Sequence, residues 1–221
     1  MDISLKRIIG YILDIILVTL VATLISQIKV INPYMEKYQE AYEKYEDLTK
    51  EEIEANDERI IDINYDLYKY RSVNSAISLV CLLLYFGIFE FACNGQTLGQ
   101  KAMKIKIVQK NTMKRAGIIN YGLRIVILNN IVFTIIAMIL VFVLTPKPFY
   151  YAAYVISLIQ NGILLLNIVM VIMRKDRRGL HDMLSNTIVV GVDEKLEEDE
   201  LVDEPKKISI KEKAEKKGKV R

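Results

Sequence analysis

The chain of 221 residues is 52% hydrophobic and 26% charged, a combination that is unusual for a single soluble domain. Its 30 Lys and Arg stand against 27 Asp and Glu, and the resulting net charge of +3 excludes a strongly basic, nucleic-acid-binding chain. Ten Gly and four Pro are too few for a collagen-like or low-complexity chain. Apolar and charged residues must therefore be segregated along the sequence, as they are in membrane proteins.

Four apolar stretches are each long enough to cross a bilayer core as a helix, which needs roughly 20 residues. The first stretch lacks a small-residue cleavage site and carries Asp14 near its middle, so we interpret it as an uncleaved span. Pro146 and Pro148 separate the last two stretches and predict a tight turn outside the hydrocarbon. The predicted spans cover residues 8–28, 73–93, 118–144 and 149–173.

The charges between the spans predict their orientation. Segment 29–72 carries seven basic and twelve acidic residues, whereas segment 94–117 carries six basic residues and no acidic one. Further basic residues precede the first span and follow the fourth. By the positive-inside rule, both termini are cytoplasmic. We therefore expect an all-α integral membrane protein of the cell (plasma) membrane, with four transmembrane helices in an N-in/C-in arrangement.

The acidic segment outside the membrane has the features of a helical hairpin over residues 34–71. It contains no Gly or Pro, and a capping box from Thr49 to Glu52 predicts the start of its second arm. Apolar and aromatic residues recur at helical spacing on the two arms, at Tyr34, Tyr38, Tyr42, Tyr45, Ile53, Ile60, Ile61 and Ile63. These residues either form a docking surface for a partner or pack the two arms against each other.

Two cytoplasmic segments show weaker patterns. Segment 94–101 superficially resembles a phosphate-binding loop, but three residues separate its glycines and Ala102 follows Lys101, so the Walker spacing is not met. Thr97 is instead placed to cap a short interfacial helix. Alternation over 104–108 and the apolar run 187–192 predict two strands, which could pair as a small cytoplasmic sheet.

The residues from 193 onward alternate an acidic block with a lysine-rich end. Such a segment cannot bury a core, so 193–221 is predicted to be a disordered, charged cytoplasmic tail after a transmembrane domain of residues 1–192. It could associate weakly with anionic headgroups or have no specific role.

Charged residues inside a bilayer are costly, and each is therefore a candidate functional residue. Three lie in the predicted spans: Asp14, Glu90 and Arg124. Helical rise places all three roughly 5 to 9 Å from the cytoplasmic ends of their spans. We therefore expect one polar cluster in the cytoplasmic half, with Asp14 paired to Arg124. That pair could belong to an ion pathway or merely fix the register of two spans, and Glu90, left without a cation, is the better candidate to carry a proton.

Three motifs follow one another along the chain. Arg7 begins the sequence RIIGYILD, residues 95–101 read GQTLGQK, and residues 176–182 read DRRGLHD and precede a TIVV run. Together these motifs resemble the RDD family of prokaryotic membrane proteins, which is named for an Arg and two Asp. The positions that carry the resemblance are Arg7, Asp14, Gly95, Thr97, Gly99, Lys101, His181 and Asp182.

The resemblance implies a compact bacterial membrane protein in which Asp182 is the second Asp of the family name. It also implies transport as a candidate activity, because cation/proton antiport has been suggested for some members. Cys81, Cys93 and His181 lack the spacing of a zinc site, so we expect no metal and no cofactor. His181 has no evident nucleophile partner, and we expect no enzyme activity.

Two functions remain open. In the first, the protein exchanges protons for a monovalent cation through Asp14, Glu90 or both. Four spans are few for alternating access, so this function requires a homo-oligomer or another membrane protein as partner in the lipid bilayer. In the second, the protein is a non-catalytic accessory or regulatory protein that acts through its outer hairpin and its cytoplasmic surface. Neither function involves nucleic acid.

Overall fold

The computed structural model describes residues 1–48 and 58–192 and is mostly helical. Its helices are α1 (Ile3–Ser26), α2 (Met35–Glu46), α3 (Glu58–Ala92), α4 (Leu98–Ala102), α5 (Ile118–Leu128), α6 (Ile131–Val143), α7 (Pro146–Met173) and α8 (Leu180–Leu184). The two strands are β1 (Ile105–Gln109) and β2 (Thr187–Gly191). Within α3, residues Leu83–Phe89 form a π-helical stretch.

Three of these helices, α1, α3 and α7, are each long and apolar enough to cross a membrane. Helices α5 and α6 pass the same test only as a pair, and they are bent by 60° at Asn129 and Asn130. The prediction of one continuous helix over 118–144 is therefore wrong. Asn130 has a φ of 50°, a left-handed conformation that Asn tolerates better than apolar residues do.

The side chains at this break find partners on neighbouring helices. Asn130 Nδ2 donates to the carbonyl oxygen of Gln160 in α7 at 3.1 Å, and the Tyr11 hydroxyl in α1 donates to Asn129 Oδ1 at 2.7 Å. A broken helix at membrane depth is tolerated only where such partners exist.

The outer arms pack as two antiparallel neighbours. Ile60, Ile61 and Ile63 are buried in one cluster with Leu48, so these isoleucines hold the arms together. The second arm is not separate from the second span, because α3 runs without interruption from Glu58 to Ala92. The predicted capping box at 49–52, Ile53 and the tail 193–221 lie outside the described residues.

The predicted strand pairing is confirmed. Strands β1 and β2 pair antiparallel, with Ile107 opposite Val189. Ile105, Ile107 and Val189 form a core with Tyr121 of α5. We call the end of the molecule that contains this sheet the sheet end. The beginning of α1 and the end of α7 also lie there, and Ser4 Oγ of α1 donates to the Val171 carbonyl oxygen of α7 at 3.1 Å.

The opposite end, which we call the outer end, holds α2, the first turns of α3 and the connection between α6 and α7. Val141 and Phe149 are each 1% exposed and pack with Tyr65 of α3. Tyr65 and Phe149 meet edge to face, with their ring centroids 5.7 Å apart. Helix α7 begins at Pro146, where the fixed φ of proline suits the first helical position.

Candidate functional site

A buried carboxylate, Asp182 in α8, joins three parts of the chain at the sheet end. It is 0% exposed and accepts a hydrogen bond from Arg7 Nη2 of α1 and another, at 3.1 Å, from Arg124 Nε of α5. The backbone N–H of Gly179 also donates to it at 3.1 Å. Burial by itself raises the pKa of Asp182, but the charges of Arg7 and Arg124 outweigh burial and hold that pKa well below its usual range.

His181, the neighbour of Asp182, is buried and neutral. Burial lowers its pKa to about 3. Its Nδ1 lies 2.7 Å from Asn167 Oδ1 of α7, and the Nδ2 of the same amide donates to the Ile163 carbonyl oxygen. Asn167 therefore accepts through Oδ1, which assigns the imidazole proton to Nδ1 and leaves Nε2 facing Arg7 Nη2 at 3.4 Å.

The network continues from Asp182 through Arg124 to Glu90. Arg124 Nη1 lies 3.7 Å from Glu90 Oε1, an ion pair that is longer than a hydrogen bond. The expectation that Glu90 has no cation beside it is therefore wrong, because Arg124 pairs with Glu90 and not with Asp14. Gln100 Nε2 donates to the same oxygen at 2.7 Å, and Glu90 is 1% exposed. Arg7, Asp182, Arg124 and Glu90 thus form a chain of alternating charge, the charge ladder, which connects α1, α8, α5 and α3.

The expected pair of Asp14 with Arg124 is wrong, because Arg124 pairs with Asp182 and Glu90. Asp14 instead accepts three hydrogen bonds: from the Tyr85 hydroxyl at 2.6 Å, from Thr97 Oγ1 at 2.5 Å and from the Gly99 backbone N–H at 2.7 Å. The depth of Asp14 along its span was predictable from the sequence. The sequence did not indicate that the segment with Thr97 and Gly99 folds back against α1. Asp14 therefore anchors α4 to α1.

Two glycines of the central motif permit this anchoring. A Cβ on Gly99 would lie 2.1 Å from the Gly10 carbonyl oxygen, so only glycine allows α4 to approach α1 this closely. Gly95 has a φ of 78°, in the left-handed region that favours glycine. Thr97 caps α4 in a capping box with Gln100, as its position predicts. Lys101 of the same motif is exposed, with its Nζ 5.9 Å from the Phe89 ring.

A cavity of about 280 Å³ lies next to the charge ladder, between α1, α5 and α7. Polar side chains from four helices and from the α8 segment line one part of it: Arg7, Asp14, Gln100, Arg124, Asn167 and His181. The remaining wall is mostly apolar. Ile12 and Ile168 belong to this wall and are 50% and 42% exposed, so the cavity opens sideways between α1 and α7.

Two residues of the site carried weak signals in the sequence. Gln100 stands three residues after Thr97, the spacing of a capping box, but nothing in that spacing indicates its bond to Glu90. Arg178 was one of several basic residues after α7. Its Nη2 donates to the Asp182 carbonyl oxygen at 3.0 Å and its Nε to the Thr187 carbonyl oxygen at 2.9 Å, so it ties α8 to β2. Within residues 1–48 and 58–192, no group of three or more His, Cys, Asp or Glu is arranged to hold a metal ion.

The motif residues thus meet in one place, from Arg7 at the start of α1 to Asp182 in α8. No curated protein and no solved structure matches this chain. Residues 4–186, however, match the RDD family, and this range includes every residue of the charge ladder and the motif segments 7–14, 95–101 and 176–182. The chain is therefore a member of the RDD family, with several helices that are apolar enough to span a membrane.

Proposed function

We propose that this RDD-family protein is a prokaryotic plasma-membrane protein with four spans and both termini in the cytoplasm. Helices α5 and α6 together form the third span, because Tyr121 of α5 packs at the sheet end whereas Val141 of α6 packs at the outer end. The six basic residues of segment 94–117 belong to the sheet end, which therefore faces the cytoplasm.

We further propose that the protein is not an enzyme but exchanges protons for a monovalent cation, with Glu90 as the proton carrier. The supporting observation is that the three carboxylates buried within the described residues, Asp14, Glu90 and Asp182, are neutralised to different extents. Asp182 has two arginines, and Asp14 accepts three hydrogen bonds at 2.7 Å or less. Glu90 has one hydrogen bond at 2.7 Å and an arginine at 3.7 Å, so a proton displaces the fewest interactions there.

Exchange follows from charge balance. An additional charge in a mostly apolar cavity is costly, so uptake of a proton at Glu90 favours release of a cation from the same surroundings. Gln100 and Arg124 contact Glu90 and also line the cavity. A proton that moves between the cavity and Glu90 therefore passes polar side chains. Transporters of this kind usually move one group of helices against another, and four spans are few to divide into two such groups. We therefore propose that the exchanger is a homo-oligomer or acts with another membrane protein.

The test is proton flux in proteoliposomes that carry an internal pH dye, with sodium, lithium or potassium added outside. Glu90→Gln is expected to lower cation-dependent flux at least about tenfold while the protein remains folded, since glutamine keeps the shape but cannot carry the proton. Glu36→Gln is the matched control, because Glu36 is exposed at the outer end and should leave the flux unchanged. Absence of flux from folded wild type with all three cations would refute the exchange.

A second candidate is an accessory or regulatory protein that contacts another membrane protein through its outer arms and its cytoplasmic surface. The observation in its favour is the exposed face of α2, where Tyr42 is 46% exposed among the acidic residues Glu40, Glu43 and Glu46. Replacing these three acids by Gln should then abolish binding of a basic partner and leave proton flux unaffected. The exchange function predicts that the same variant keeps full flux and that Glu90→Gln loses it.

A further inference from the structure

We propose that the cavity binds the headgroup of an anionic phospholipid through Arg124, with an acyl chain that leaves through the opening between α1 and α7. This inference uses the membrane orientation proposed above, but it does not depend on the exchange activity.

The first observation is the state of Arg124. The residue is 8% exposed and lines the cavity. Its Nε donates to Asp182 at 3.1 Å, whereas Nη1 is 3.7 Å from Glu90 and neither Nη makes a hydrogen bond within the described part of the chain. The two terminal nitrogens of Arg124 face the cavity instead of being fully buried, and an anionic oxygen in the cavity could accept hydrogen bonds from them.

Arg124 is paired with Asp182 and Glu90, so it offers an anion its uncommitted N–H donors more than an uncompensated charge. Of the two arginines that line the cavity within the described residues, it is the one whose terminal nitrogens make no hydrogen bond. Arg7 also lines the cavity, but its Nη1 and Nη2 donate to the Arg177 carbonyl oxygen and to Asp182. Asp14 is a carboxylate in the same wall, yet it is 1% exposed and its two oxygens accept three hydrogen bonds. Its repulsion of an anion is therefore smaller than that of an open carboxylate.

The second observation is the apolar opening. Ile8 and Ile12 of α1 face the cavity from one side, and Leu164 and Ile168 of α7 face it from the other. The hydrogen bond from Ser4 to Val171 closes the gap between α1 and α7 nearer the sheet end. The opening consequently lies at membrane depth, where a free inorganic anion does not reside and an acyl chain does.

The location also favours an anionic lipid. Ile8 and Ile12 lie about 8 to 14 Å along α1 from its first residue, at 1.5 Å per residue, which places the opening in the leaflet on the sheet side. Under the proposed orientation this is the cytoplasmic leaflet, whose surface potential is negative because it contains anionic lipids. The six basic residues of segment 94–117 add a positive field at the same end. A phosphate near Arg124 and a chain between α1 and α7 therefore match both the charge and the polarity of the site.

The chain contains no Trp, so a single introduced Trp reports on its own surroundings. Ile168→Trp places the probe at the rim of the cavity, and Leu166→Trp places it two residues away, on the opposite face of α7, where Leu166 is 47% exposed. Each variant is reconstituted in phosphatidylcholine vesicles that contain a minor fraction of brominated phosphatidylglycerol or the same fraction of brominated phosphatidylcholine. Bromine quenches Trp fluorescence only at short range.

We expect phosphatidylglycerol to quench the Ile168→Trp protein several-fold more than phosphatidylcholine does at the same fraction, and the two lipids to quench the Leu166→Trp protein equally. Adding Arg124→Gln to Ile168→Trp should remove the difference in protein that still elutes as a single folded species. Equal quenching by both lipids at Ile168→Trp would overturn the proposal. Loss of the difference on addition of millimolar inorganic phosphate would also overturn it, because the site would then bind a free anion. Neither outcome depends on flux, so the lipid site and the exchange can fail separately.

Discussion

The two ends of the molecule are held together by different interactions. At the sheet end, charged side chains are buried between the helices beside the apolar core of the sheet: Arg7, Asp182, Arg124 and Glu90. At the outer end, no charged side chain of the described residues is buried, and the helices pack mainly through apolar and aromatic side chains, such as Phe149 between Tyr65 and Tyr68. The ion pair between Lys29 and Glu36 near that end is fully accessible to solvent, with side-chain exposures of 80% and 73%.

This difference has a physical consequence. A buried ionic network is stable only when every member keeps its partner, because a single unpaired charge in a low-dielectric interior is costly. An aromatic cluster loses stability in proportion to the volume that is removed, and its neighbours can partly close the gap. The sheet end should thus be intolerant of conservative changes that the outer end accepts. The family motifs all lie at the intolerant end.

The largest expected effect is that of Asp182→Asn. The amide keeps the size of the carboxylate but leaves Arg7 and Arg124 without their shared counter-charge, so we expect a loss of about 3–5 kcal/mol in the free energy of unfolding. Phe149→Leu at the outer end is the matched control, since Phe149 is 1% exposed and retains most of its apolar contacts. We expect this control to cost about 1–2 kcal/mol. Thermal unfolding of the purified variants in detergent measures both changes, and equal losses would refute the difference between the two ends.

An intermediate effect is expected from Gly99→Ala. The new Cβ would meet the Gly10 carbonyl oxygen at 2.1 Å, so α4 must move away from α1 and weaken the hydrogen bonds to Asp14. We expect a loss of about 1–3 kcal/mol, as is typical of overpacking. Gly122→Ala serves as its control, because a Cβ on this glycine of α5 meets no atom within 4 Å. That substitution should leave stability unchanged or raise it by about 1 kcal/mol, since Ala favours a helix over Gly.

The same unfolding measurement checks this pair. If Gly99→Ala unfolds at the wild-type temperature, the close approach of α4 to α1 is not needed for stability. The role of Asp14 as an anchor would then be wrong as well, because its bond to the Gly99 N–H depends on that approach.

Much of this fold was predictable from the sequence because its patterns are local. Hydropathy alone indicated the apolar helices, alternation indicated the first strand and an apolar run indicated the second, and the structure confirms that the two strands pair. The bend between α5 and α6 was missed, although adjacent Asn129 and Asn130 in an apolar stretch were a signal for it. The absence of Gly and Pro from residues 34 to 71 was compatible with the single long helix α3, but the change from acidic to apolar residues suggested two separate elements.

The site was less predictable because its geometry depends on contacts between residues far apart in the chain. Helical rise gave the depth of Asp14, Glu90 and Arg124, and Arg124 and Glu90 do meet. Depth does not specify the direction in which a side chain points around its helix axis. Asp182 accepts the only hydrogen bond that Arg124 donates within the described residues, and it lies outside every predicted span. A search limited to intramembrane charges could therefore not find it.

The smallest expected effect concerns pH and the neutral His181. Its pKa is lowered from 6.5 to about 3 by burial, so below pH 6.5 the unfolded chain binds a proton that the folded protein does not. Stability that is complete above pH 6.5 is therefore lost as the pH falls, by at most about 1.4 kcal/mol per pH unit. The lowered pKa of Asp182 acts with the same sign, but only below its ordinary value of 3.8. Between pH 6.5 and 5, the contribution of the histidine is therefore the difference between wild type and a variant of His181, the only histidine in the chain, because every other titrating group is the same in both proteins.

The measurement is the unfolding temperature of wild type and of His181→Gln in detergent across that window. Glutamine has no titration there, so the wild-type value should fall more steeply with acidity than that of the variant. Parallel curves would mean that His181 gains a proton in the folded protein as readily as in the unfolded chain. The imidazole Nε2 could then no longer accept from Arg7, and a second positive charge would stand beside that arginine. The charge ladder would in that case change its protonation without unfolding as the pH falls. The sheet end would then tolerate a change of charge that the comparison of the two ends predicts it does not tolerate.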